Sequence, residues 1–136
     1  MDRWFLSAVL ALLIYGLWGF FPKLAVTYIS PRSALVYEVA GAVLVGIFAL
    51  WLEDFRPDTH PRGVLFAVLT GAAGMLGTLF YFTAASTGRI SVVVAVTALY
   101  PVVTILLAAL FLQEPFTLKH LAGMGLALAA IVLLSV

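Results

Sequence analysis

ISVVVAVTALYPVVTILLAALFL, residues 90–112, holds 23 residues without a single charge, and its only hydroxyls are Ser91, Thr97, Tyr100 and Thr104. An α-helix rises ~1.5 Å per residue, so the run matches the roughly 30 Å hydrocarbon core of a bilayer. Tyr100-Pro101 stands at its middle. Proline has no N–H, so the carbonyl of Thr97, four residues back, loses its helical partner. Unpaired backbone is expensive in lipid and must face protein, water or a ligand. The stretch therefore predicts a membrane span with a polar interruption turned inward at Pro101.

The rest of the chain agrees with a membrane class. Hydrophobic residues make up 65% and charged residues 10% of the sequence, with a mean hydropathy of +1.20. Soluble domains carry about 25% charge, and 136 residues are too few to bury so much apolar surface. A formal net charge of +1 gives no electrostatic basis for binding nucleic acid. The absence of cysteine excludes disulfides, thiolate metal sites and cysteine nucleophiles. No metal-ligand spacing, phosphate loop or nucleophile–base set occurs, so the expectation is no metal, no cofactor, no catalytic residue and no enzyme.

Working outward, the apolar run from Trp4 to Phe21 is too long for a signal-peptide core and lacks a small-x-small cleavage site. It continues past Pro22-Lys23 to Ile29, which predicts one helix over residues 4–29, kinked at Pro22 with the carbonyl of Trp18 freed. Ser30-Pro31-Arg32 turns the chain into a second span, 33–52. Residues 53–62, EDFRPDTHPR, form the only long polar stretch and read as an exposed loop. Further spans follow at 63–85, 90–112 and 118–136, the last with Thr117 as N-cap. The expected fold is an all-α membrane protein of five transmembrane helices in a single domain, 1–136. Arg3, Arg56, Arg62 and Lys119 lie toward the N-terminal side. Arg32 and Arg89 lie opposite, with Lys23 if it reaches the surface. The positive-inside rule then favours a cytoplasmic N-terminus by a small margin, as in a chain able to insert both ways.

Lys23 and Glu38 lie about equally far from the first turn, hence at one height ~10 Å into the membrane. Leu12, Gly16, Gly19 and Lys23 share a helical stripe, as do Ala34, Glu38, Ala42 and Gly46, and small residues let helix backbones approach closely. In one reading Glu38 binds a proton or cation and Lys23 is its partner or holds an anion. In the other, Lys23 snorkels to the interface and Glu38 forms a static ion pair. Thr78 and Tyr81 lie on a stripe of the third span with Thr70 and Gly74. Thr97, Tyr100 and Thr104 share half of the fourth. These five hydroxyl side chains line a substrate path or pack helix against helix. The prolines add weight to a path, because broken helices expose backbone to substrate in transporters. Gly123 with Ala127 and Gly125 with Ala129 form small-xxx-small pairs suited to a helix interface, within one chain or between two. His60 reads as a loop residue and His120 as interfacial.

Three pieces in order resemble the EamA type of the drug/metabolite transporter superfamily. They are Tyr15-Gly16-Leu17-Trp18-Gly19 with Lys23-Leu24-Ala25 and Ser30-Pro31; Leu99-Tyr100-Pro101-Val102-Val103-Thr104; and Leu112-Gln113-Glu114-Pro115 through Ala122-Gly123. The resemblance implies one half of a ten-helix inverted-repeat transporter in a bacterial or archaeal inner membrane. An odd number of spans inverts the second of two tandem copies, so a lone half is suited to pair with itself, parallel or antiparallel, or with a related half. The expected partners are the lipid bilayer, that second half and a small-molecule substrate, with span five joining the halves. The expected function is alternating-access transport of a small metabolite or amphipathic solute. A non-transporting membrane subunit and a small-multidrug-type exchanger are the alternatives. The chain lacks the first-span carboxylate of the latter group.

Overall fold

The computed structural model describes residues 3–113, 115 and 117–135. Glu114 of the Gln113-Glu114-Pro115 motif, Phe116 and the final Val136 of the fifth predicted span lie outside the described residues. Among the described residues all regular structure is helical, and the chain forms two compact units, Met1–Thr87 and Gly88–Val136.

The first unit holds α1 (Arg3–Tyr28), α2 (Pro31–Leu52) and α3 (Pro61–Thr87). The second holds α4 (Ile90–Thr97), α5 (Tyr100–Phe111) and α6 (Leu118–Ser135). Four runs are long and apolar enough to cross a bilayer: Trp4–Tyr28, Pro31–Leu52, Pro61–Thr87 and Ile90–Phe111, the last comprising α4 and α5. Leu118–Leu134 is a shorter apolar helix. The second and third helices start two residues before the sequence-read spans, because Pro31 and Pro61 occupy their first turns. Proline belongs there: its missing N–H has no intrahelical partner to lose. The Ser30 hydroxyl completes the start of α2 by accepting from the Ser33 N–H at 3.3 Å.

The two internal prolines behave differently. α1 continues through Pro22 as one helix, Arg3–Tyr28, and does not divide there. At Pro101 the fourth span does divide. α4 ends at Thr97, α5 begins at Tyr100, and the tighter bonds Leu99 N–H to Val96 O (3.2 Å) and Val102 N–H to Leu99 O (2.9 Å) bridge the gap. Pro101, in the first turn of α5, gives up no bond that α5 needs. The division therefore falls just before the proline rather than at it.

In the first unit α3 packs against both α1 and α2. The buried residues cluster at one end: Pro22 of α1, Ala34 of α2, and Thr78, Tyr81, Phe82 and Ala85 of α3. Toward the other end Gly16, Ala42, Gly46, Thr70 and Gly74 are exposed. The small-residue stripes read from the sequence are thus packed for only part of their length. In the second unit α6 packs on α4. His120 accepts from the Thr117 N–H through Nδ1 at 3.3 Å, which is the reach-back half of a capping box at the third helical position.

Candidate transport site

Four side chains of the first unit make a polar cluster between its three helices. α1 and α3 run in parallel, and two bonds one helical turn apart fix their register. The Tyr81 hydroxyl donates to the Gly19 carbonyl at 2.6 Å, and the Lys23 ammonium donates to the Ala85 carbonyl at 2.8 Å. Both contacts have physical causes. Gly19 has no side chain to shield its carbonyl, and the buried Tyr81 hydroxyl needs an acceptor. Ala85 is in the last turn of α3, whose final carbonyls lack helical partners and carry the negative end of the helix dipole. Lys23 thus caps α3 from another helix.

Glu38 is held by a different partner. The Trp18 indole Nε1–H donates to its Oε1 at 2.8 Å, and the Trp18 ring lies 5.2 Å from that of Tyr81, centroid to centroid, at 35°. The second carboxylate oxygen, Oε2, is buried and has no hydrogen-bond partner among the described residues. The structure therefore separates the two charges: Lys23 bonds backbone of α3, and Glu38 bonds an indole. Trp18 and Glu38 sit where the packed end of the unit gives way to the exposed one. Trp18 is 39% exposed, and the next small residues along each helix, Gly16 and Ala42, are exposed.

The five hydroxyl side chains read as path-lining divide between the units. Thr78 and Tyr81 are buried in the first, and the Thr78 hydroxyl bonds the Gly74 carbonyl of its own helix at 2.9 Å. Thr97, Tyr100 and Thr104 are exposed in the second. Thr97 donates back to Val93 O (2.9 Å) and lies 3.1 Å from Val94 O, while Thr104 donates to Tyr100 O (3.2 Å), both within their own span. The four small residues of α6 also divide. Gly123 and Ala127 line a groove of about 230 Å3 with Ala98, Pro101, Val102 and Ile105. Gly125 and Ala129 are exposed and do not line it.

Sequence reasoning missed Trp18. The signal was present, since an indole N–H within an apolar span needs an acceptor and the adjacent span offers one carboxylate. It missed the carbonyls of Gly19 and Ala85 for a different reason: every residue has a carbonyl, so none stands out.

The chain is an all-helical, multi-pass membrane protein with ionisable and aromatic groups clustered between three of its spans. The chain belongs to the EamA-like transporter family, whose profile matches residues 2–136, and it is a membrane transporter of the drug/metabolite type. It is 27% identical over 136 residues to an uncharacterised protein of Methanocaldococcus jannaschii, across all of this chain and 98% of that one. It is 33% identical over 97 residues to YvbV, an uncharacterised transporter of Bacillus subtilis, across 70% of this chain and 32% of that protein. No solved structure matches.

Proposed function

We propose that the chain is one half of an alternating-access transporter. It pairs with a second copy, or with a related half, in a bacterial or archaeal inner membrane, and moves a small metabolite or amphipathic solute. Glu38 binds the proton or cationic group that drives or accompanies the solute. The observation that carries this reading is the buried, partnerless Oε2 of Glu38. A buried carboxylate oxygen without a donor costs about 1–3 kcal/mol, and the cost is removed when a proton or cation arrives. The half-packed first unit supports the same reading, since its closed end stops at Trp18 and Glu38 and its own helices leave the other end open. Gly125 and Ala129, exposed on α6, are the residues assigned to the joint between halves.

Proteoliposomes containing the purified chain, with a pH gradient and a panel of small metabolites, test the proposal. The expected result is pH-driven uptake that Glu38→Gln abolishes while the protein stays folded and elutes as the wild type does. Uptake unchanged in Glu38→Gln removes Glu38 from the mechanism. Absence of flux from the chain alone, with another membrane protein co-purifying, assigns it to a subunit role instead.

A further inference from the structure

Between α5 and α6 lies the groove of about 230 Å3 described above, and its two ends differ in chemistry. One rim carries Lys119 and His120, in the first turn of α6. The remaining lining is apolar and follows α6 inward through Gly123 to Ala127, with Pro101 and Ile105 among the residues of the facing wall. From Lys119 to Ala127 the groove descends ~12 Å along the helix axis. It begins at the membrane surface, because Lys119 stands at the start of the last apolar helix, and it ends among hydrocarbon. A polar rim over an apolar trough fits a molecule with a charged head and a greasy tail.

The sign of the head follows from the charge carried by the described helices. Lys119 is the only Asp, Glu, Lys or Arg on α4, α5 or α6. A second copy laid on this face would bring no carboxylate from those helices to meet it. Size points the same way. At ~30 Å3 per water the groove holds on the order of eight water volumes, enough for part of an acyl chain, whereas a helix is ~10 Å across. We propose that the groove binds an anionic phospholipid, with its phosphate at Lys119 and one acyl chain along Gly123 and Ala127. Basic pockets between membrane helices recognise lipid headgroups by this chemistry. The proposal is independent of any role for Glu38.

Native mass spectrometry of the full chain in detergent, titrated with dioleoylphosphatidylglycerol or dioleoylphosphatidylcholine, tests it. The wild type should retain the anionic lipid more tightly than the zwitterionic one. Lys119→Gln should weaken retention of the anionic lipid about fivefold and leave the zwitterionic lipid unchanged. Gly123→Leu should displace both lipids. A Cβ added at position 123 meets nothing within 4 Å, so the side chain starts into the open groove. Leu126→Trp, which adds bulk to the same helix outside the groove, should displace neither. Equal retention of the two lipids by the wild type overturns the proposal, as does full retention of the anionic lipid by Lys119→Gln. If Gly123→Leu changes the oligomeric state and leaves lipid retention intact, the groove belongs to a second copy and the proposal is wrong.

Discussion

Replacing Lys23 with methionine separates two roles for this residue that the sequence leaves open. The side chain keeps its unbranched apolar stem and is shorter by one heavy atom, so most of the packing between α1 and α3 is preserved while the ammonium is lost. The carbonyl of Ala85, a residue with 0% exposure, then loses the donor it has at 2.8 Å. A hydrogen bond from a charged donor contributes about 1.5–3 kcal/mol, and a cation at a helix C-terminus a further ~0.3–1 kcal/mol. Two effects pull the other way: methionine enters an apolar site without the ammonium's desolvation cost, and polar contacts measured inside membranes average only ~0.6 kcal/mol and reach ~1.7 kcal/mol. The net expectation is a loss of about 2 kcal/mol, roughly a thirtyfold fall in the ratio of folded to unfolded protein.

Reversible unfolding in mixed detergent micelles, or steric trapping in bicelles, measures that loss directly, and uptake per folded molecule is measured alongside. If Lys23 caps α3, Lys23→Met is less stable by this amount and retains most of its transport. Lys23→Arg recovers part of the stability, because its guanidinium still donates to the carbonyl in a different geometry. A Lys23→Met protein as stable as the wild type but inactive refutes the capping argument. Lys23 then meets a substrate anion, and the bond to Ala85 is incidental.

Three further outcomes follow from the same geometry. Tyr81→Phe removes the donor to the Gly19 carbonyl and should lower stability by about 1 kcal/mol in the same unfolding assay; no change would mean that the backbone before Pro22 needs no outside donor. Pro101→Ala restores an N–H four residues after Thr97, so α4 and α5 should join. Amide exchange at residues 98–102 should slow at least tenfold while transport slows with it, and unchanged exchange would show that Ala98 and Leu99 break the span without the proline. Because the chain has no cysteine, Gly125→Cys and Ala129→Cys introduce single thiols. Mild oxidation in membranes should give covalent dimers through one or both, and failure of both removes this face of α6 from the joint between halves.

The spans were legible in the sequence because each is a long apolar run bounded by turn residues. The interruption of the fourth was legible because only Pro101 deletes a donor at its centre. At Pro22 the chemistry of a missing N–H is identical, yet α1 stays continuous and buries its proline while a tyrosine from α3 bonds the neighbouring backbone. That contact depends on the register between α1 and α3, which no residue of α1 encodes alone. The contacts of Lys23 and Glu38 stayed hidden on similar grounds. Equal height brings two charges to one level, but the angle around each helix axis decides what they touch. That angle puts the ammonium on Ala85 and the carboxylate on Trp18.

The small-residue stripes carry the remaining lesson, because they indicate capacity for contact rather than contact itself. Glycine destabilises a helix by about 1 kcal/mol relative to alanine, a cost normally offset where backbones touch. At Gly16, Gly46 and Gly74 nothing in the chain lies within 4 Å of where a Cβ would stand. All three belong to the half of the first unit beyond Trp18 and Glu38, where its helices present exposed faces. Three glycines with open space where a Cβ would stand leave room for the close approach of another helix. Bulky residues placed there should spare the fold of one chain and disrupt its pairing or its transport. Leucine at any of the three positions, with both properties unchanged, would show that lipid alone covers that end.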